Sequence, residues 1–215
     1  DSVRAFSFWL SLYENKTSRI LSWMETAPDE TVEFCTLNRY LYLVRIYGYI
    51  ALGRHTEALV LIRRMTLYAD YAQRTYLQME YGLLNAIILR RTGKPWKDEF
   101  VQTLKRAREY HFVPLVSAKG AAVLSMLTEV KALFTQDDGP TAAWFRQVLD
   151  EAAHMARLYP NYLKGTGIDV SAFSPTALQV LRMQAACYTT KEIADRLHIT
   201  QRTVKYHASE NYRKL

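Results

Sequence analysis

The chain has 215 residues, of which 49% are hydrophobic and 23% charged, with a net charge of +7 and a sequence pI near 9.4. That balance supplies apolar side chains for one or two packed domains. It holds no uninterrupted apolar run near the ~20 residues of a membrane span, no signal peptide at its start and no CxxC pair.

The charge is unevenly placed. From Ser174 onward there are seven bases and three acids, a net of +4, against +3 for the preceding four-fifths. The tail is therefore where a polyanion would be attracted. The two cysteines, Cys35 and Cys187, are far apart. They read as two buried thiols of a reducing, cytoplasmic compartment. The chain begins Asp1-Ser2-Val3 and stops at Leu215, and is read as a piece of a longer protein.

In chain order, residues 1–158 carry Leu, Ile, Ala, Tyr and Met at three- and four-residue spacing, which predicts helices throughout. Breaks are expected at Asn15-Lys16-Thr17, Ala27-Pro28-Asp29, Gly53-Arg54, Gly93-Lys94-Pro95, Asp137 to Pro140, and Pro160 to Gly167. Gly53 and Gly93 lie 40 residues apart, and Asn15 lies 38 before Gly53. Each precedes an apolar helical stretch, with the small Ala58 placed for close helix contact after the first glycine. A period of roughly 40 fits helical hairpins stacked in a repeat array. An unrepeated bundle is the alternative. Tyr40, Tyr47, Tyr68, Tyr71, Tyr76 and Tyr81 recur at spacings that suit hairpin cores, and some could line a binding surface.

Two stretches carry a resemblance: Leu52-Gly53-Arg54-His55-Thr56-Glu57-Ala58-Leu59 and Tyr110-His111-Phe112-Val113-Pro114-Leu115-Val116. They resemble the tetratricopeptide-like sensor domain of MalT-type regulators, a branch of the LuxR family. The resemblance implies a domain at 1–158 that senses a small-molecule or protein effector. Nothing in the chain matches the ATP-binding domain that precedes the repeats in such proteins. Residues 159–172, with Pro160, Gly165 and Gly167, read as a linker.

Residues 173–215 predict three short helices. Ser174 caps the first, with Pro175 at its first position, and Leu178, Leu181 and Ala185 along one face. Thr189 and Glu192 form a capping box at the start of the second, whose inward residues are Ile193, Ala194 and Leu197. His198-Ile199 makes a tight turn and Thr200 caps the third. At 100° per residue, Val204, Ala208, Asn211 and Leu215 fall on one side of that helix, flanked by His207 and Tyr212. Arg202, Tyr206, Ser209 and Arg213 fall on the other, with Lys205 at its flank. A helix with a basic outer face, braced by a shorter helix across a tight turn, suits the major groove.

This segment closely resembles a LuxR-type helix-turn-helix: a Pro-started helix, Lys191-Glu192-Ile193-Ala194, Thr203-Val204-Lys205 and the ending Tyr212-Arg213-Lys214-Leu215. The resemblance implies a transcriptional regulator that binds double-stranded DNA as a homodimer. Lys205, Tyr206 and Ser209 would face bases. Thr190, Lys191, Gln201, Arg202, Thr203 and Arg213 would approach phosphates. The chain departs from the family at Ala177 and Gln179, where acidic residues are usual, and at Cys187, where glycine is frequent. The competing expectation is a helical-repeat scaffold for protein partners, whose terminal helices serve assembly.

Catalysis is not expected. There is no phosphate-binding loop of the GxxxxGK[ST] type, and Gly165-Thr166-Gly167 lacks a third glycine. His55, His111, His154, His198 and His207 have no metal-ligand spacing. No cofactor and no metal is called for. The expected fold class is all-α: tetratricopeptide-like hairpins followed by a small helix-turn-helix domain.

Overall fold

A computed structural model describes residues 2–14, 16–27, 35–163, 174–185 and 188–214. Asn15, Cys187, Leu215 and most of the expected linker lie outside the described residues. Among the described residues all repeating secondary structure is helical. Contacts divide the chain into two units, Asp1–Thr166 and Gly167–Leu215.

The first unit holds α1 (Ser2–Tyr13), α2 (Thr17–Thr26), a 3-10 turn (Thr36–Asn38), α3 (Arg39–Ala51), α4 (His55–Tyr71), α5 (Thr75–Arg91), α6 (Lys97–Glu109), the short α7 (Val113–Ser117), α8 (Ala121–Phe134) and α9 (Pro140–Leu158). The anticipated breaks at Gly53-Arg54, Gly93-Lys94-Pro95 and Asp137 to Gly139 fall between helices; Pro28-Asp29 and residues 164–167 lie outside the described residues. Two further reversals, at Gln73 and His111, carry no glycine, proline or asparagine.

Four turns share one construction. Gly53, Gln73, Gly93 and His111 have φ of 71°, 51°, 69° and 53°. In each, the amide one residue on donates to a carbonyl five residues back: Arg54 to Tyr49, Arg74 to Ala69, Lys94 to Leu89 and Phe112 to Ala107. These are Schellman ends, which satisfy helix-terminal carbonyls and reverse the chain. They recur every 18–20 residues, so a period of about 40 holds two helices. Sequential packing follows: α3 on α4, α4 on α5, α5 on α6, and later α8 on α9.

Two helix-interior glycines let neighbours approach. A Cβ on Gly48 would stand 2.5 Å from Met24 Sδ, and one on Gly82 2.5 Å from Thr103 Oγ1. Ala58 and Ala107 are fully buried. Tyr47 and Tyr81 are core residues, whereas Tyr71 is 91% exposed and Tyr76 half-exposed. Cys35 is free and only partly buried.

The unit also joins its two ends. Tyr162 and Leu163, placed by the sequence reading in the linker, are each 1% exposed. Tyr162 stacks on Tyr13 of α1 at 4.0 Å between ring centroids, and Trp9 Nε1 donates to its hydroxyl at 3.4 Å. The apolar ring body outweighs the Pro/Gly character of the surrounding segment, so the packed core extends five residues past α9.

One charged pair is enclosed. Lys119 Nζ lies 2.9 Å from both Glu80 carboxylate oxygens, and Tyr47 donates its hydroxyl to Glu80 Oε1. Burial, and then the Glu80 charge, push the Tyr47 hydroxyl pKa well up, so it remains a protonated donor.

The second unit contains α10 (Pro175–Ala185), α11 (Thr190–Leu197) and α12 (Gln201–Lys214), each packed on the other two. Its core is Val180, Ile193, Ala194 and Val204, with Met183, Tyr188, Leu197 and Ile199 against it.

Candidate nucleic-acid interface

Capping fixes where α11 and α12 start. Thr189 Oγ1 accepts from the Glu192 amide at 3.3 Å, and Glu192 Oε2 accepts from the Thr189 amide at 2.8 Å and its hydroxyl at 2.7 Å. The Thr189 amide, then the Thr189 hydroxyl, hold the Glu192 carboxyl below its ordinary pKa. Thr200 Oγ1 likewise accepts from the Thr203 amide at 3.1 Å. Each cap contributes about 1 kcal/mol. Both occupy the amide at the third helical position. The amides at the first two positions, Thr190-Lys191 and Gln201-Arg202, are left at the positive ends of the helix dipoles, which suits anions.

Between the helices the chain turns at His198, with φ 53° and ψ 42°. The amides of His198 and Ile199 both donate to the Ala194 carbonyl. A tight left-handed end of this kind aims α12 away from α11 without a glycine, at a modest backbone cost.

Burial along α12 separates its two sides. Val204 and Asn211 are 1% exposed, and Ala208 and His207 are intermediate. Asn211 Nδ2 donates to the Ala177 carbonyl in α10 at 2.9 Å, a buried polar tie between two helices. The inward residues of α10 are Ala177 and Val180, with Leu181 partly buried. Of the expected face of Leu178, Leu181 and Ala185, Leu181 is the residue whose side chain is described, and Ala177 and Val180 are buried beside it. The side chains of Leu178 and Ala185 lie outside the described residues.

Gln201, Arg202, Lys205, Tyr206 and Ser209 are exposed. Their spacing of i, i+1, i+4, i+5 and i+8 places them on one stripe of the helix. Tyr206 is 63% exposed, with its ring edge-on to His207 at 5.6 Å. Lys191 is exposed on the first turn of α11, and Thr190 and Thr203 are intermediate. Thr203 Oγ1 shares a 2.8 Å hydrogen bond with Thr200 Oγ1, so that hydroxyl is engaged within the cap. The Arg213 side chain lies outside the described residues.

Two features escaped sequence reasoning. Arg196 stands over the Tyr188 ring at 4.4 Å, which bridges the start and the last turn of α11. Asn211 fell on the packed side by angle, but its bond to the Ala177 carbonyl could not be read without the fold.

Among the described residues no helix is long and apolar enough to cross a membrane, and no group of His, Cys, Asp and Glu could hold a metal ion. Neither a curated protein nor a solved structure matches the chain significantly. Residues 171–215 match the family model described as bacterial regulatory proteins, luxR family. The C-terminal unit is thus a luxR-family helix-turn-helix domain, the DNA-binding part of a transcription regulator.

Proposed function

We propose that the chain is the sensing and DNA-reading portion of a cytoplasmic, MalT-like regulator, in which an effector acting on the helical repeats switches the helix-turn-helix. The observation that carries the DNA-reading half is the exposed stripe Gln201, Arg202, Lys205, Tyr206 and Ser209 on α12. Beside it, Val204 and Asn211 bind the opposite side of the helix to its support.

Lys205, Tyr206 and Ser209 are assigned to base edges. The Lys205 ammonium can donate to guanine O6 and N7, the Tyr206 ring can meet a thymine methyl, and Ser209 can serve any base with an acceptor or donor. Thr190, Lys191, Gln201, Arg202, Thr203 and Arg213 are assigned to the phosphate backbone, which positions the helix without specifying sequence. Two copies would read half-sites about 34 Å apart, one helical turn. An exposed face that is basic, hydroxylic and amide-bearing favours DNA over an assembly surface, which would be apolar.

Binding-site selection on the wild type and Lys205→Ala tests the assignment. The variant is expected to lose preference at one or two operator positions, a discrimination of about 1–3 kcal/mol, with unchanged circular dichroism. Full retention of the wild-type preference would remove Lys205 from base reading.

A further inference from the structure

We infer that the first unit contains a small-molecule site, a cavity of about 400 Å³, suited to an uncharged ligand with a flat apolar body and a single hydroxyl head. In this reading it is the effector site, a role that rests on the function proposed above.

The walls come from three helices and the segment after α6. Trp9 of α1, Tyr40 and Leu43 of α3, Tyr76 and Leu77 of α5, and Leu115 of α7 supply most of them. Tyr76 is half-exposed, so the cavity opens to solvent and is not a packing void. Its volume lies in the range of ~300–1,000 Å³ common to ligand pockets. Aromatic faces on several sides favour a planar partner.

The buried charged groups are confined to one place; Arg39 also lines the cavity, but it is exposed and donates to the Thr36 carbonyl at 3.4 Å. Glu80 and Lys119 both line the cavity, at 2% and 4% exposure. Glu80 Oε1 already accepts from Tyr47 and Lys119, whereas Oε2, among the described contacts, accepts from Lys119. Lys119 uses two N–H groups on the carboxylate, and an ammonium has three. The pair therefore retains one acceptor and one donor side by side. A hydroxyl satisfies both, accepting from Lys119 and donating to Glu80 Oε2.

Charge selects the head further. The pair is neutral in sum. A carboxylate head would be attracted by Lys119 but face Glu80, and an ammonium would face Lys119. Either ion would also have to shed its water inside apolar walls. An uncharged head avoids both costs.

Three probes with one body separate these cases on the full chain: 3-phenylpropan-1-ol, 3-phenylpropanoate and 3-phenylpropylammonium, titrated by calorimetry at neutral pH. The alcohol is expected to bind saturably, one per chain, with each ion weaker by about tenfold or more. Nuclear Overhauser contacts should run from its ring to the methyls of Leu43, Leu77 and Leu115. Leu77→Trp, which fills the cavity from a half-buried wall, should abolish binding; the Overhauser contacts decide the matter on the wild type if that variant fails to fold. No saturable binding of the alcohol, equal binding of all three heads, or ring contacts elsewhere would overturn the site. DNA affinity measured with saturating alcohol reports separately on switching: no change there, with binding at these leucines intact, would count against the effector role and leave the site standing.

Discussion

Replacing Lys119 by Met keeps most of the side chain's volume and removes its charge. Glu80, 2% exposed, is then left with the Tyr47 hydroxyl as its remaining donor among the described contacts. Breaking a buried ion pair from one side costs about 3–5 kcal/mol, because the surviving charge remains desolvated. At roughly 2–4 °C per kcal/mol for a unit of this size, the first unit should melt about 6–20 °C lower. The double variant Glu80→Gln/Lys119→Met removes both charges and keeps an acceptor for Tyr47, and should recover at least half of the loss. Urea titration and scanning calorimetry of the full chain give both numbers, and the helix-turn-helix transition should stay where it was. A Lys119→Met loss below about 1 kcal/mol would refute the buried-pair account. A double variant as unstable as the single would assign the loss to packing.

Three other outcomes are expected. Lys191→Ala and Arg202→Ala should each weaken binding to all DNA sequences alike and lower the salt slope of log K by about one; titration in increasing salt measures it. Asn211→Ala should cost about 0.5–1.5 kcal/mol of stability in the second unit by removing the buried tie from α12 to the Ala177 carbonyl of α10, seen in its urea midpoint. Burial, and then the Arg91 charge, hold His55 below its ordinary pKa, with Glu57 opposing. As pH falls through about 6.5 the unfolded chain takes up that proton first. The stability from neutral His55 is therefore full above that value and declines down to the lowered folded pKa. His55→Gln should flatten that part of the profile, checked by urea midpoints between about pH 7.5 and 5.

Legibility in the sequence follows the range of the physics. The capping box at Thr189 and Glu192 and the break at Gly139-Pro140 are set by residues within a few positions, so local pattern suffices. Gly53 and Gly93 announce their turns because φ near 70° suits glycine. Gln73 and His111 take the same conformation without that signal, since neighbouring helices supply what propensity does not. On α12 the helical angle alone separated Val204 and Asn211 from Arg202, Tyr206 and Ser209. On α10 it left out Ala177, whose carbonyl takes a bond from Asn211, 34 residues away. Glu80 is a lone charge in Met79-Glu80-Tyr81-Gly82-Leu83-Leu84, which helical periodicity alone did not single out. Its partner Lys119 is 39 residues distant and carries no pattern of its own.

The union of Tyr162 with Trp9 and Tyr13 has a consequence for biosynthesis. In an array whose repeats touch only their neighbours, each hairpin can settle as it leaves the ribosome. Here α1 emerges first, yet one side of it is completed by a residue 153 positions later. At ~5–20 residues per second, that side waits on the order of 10 s for its ring partner. During that interval Tyr13 and Trp9 are uncovered aromatic surface, a natural point for a chaperone to hold.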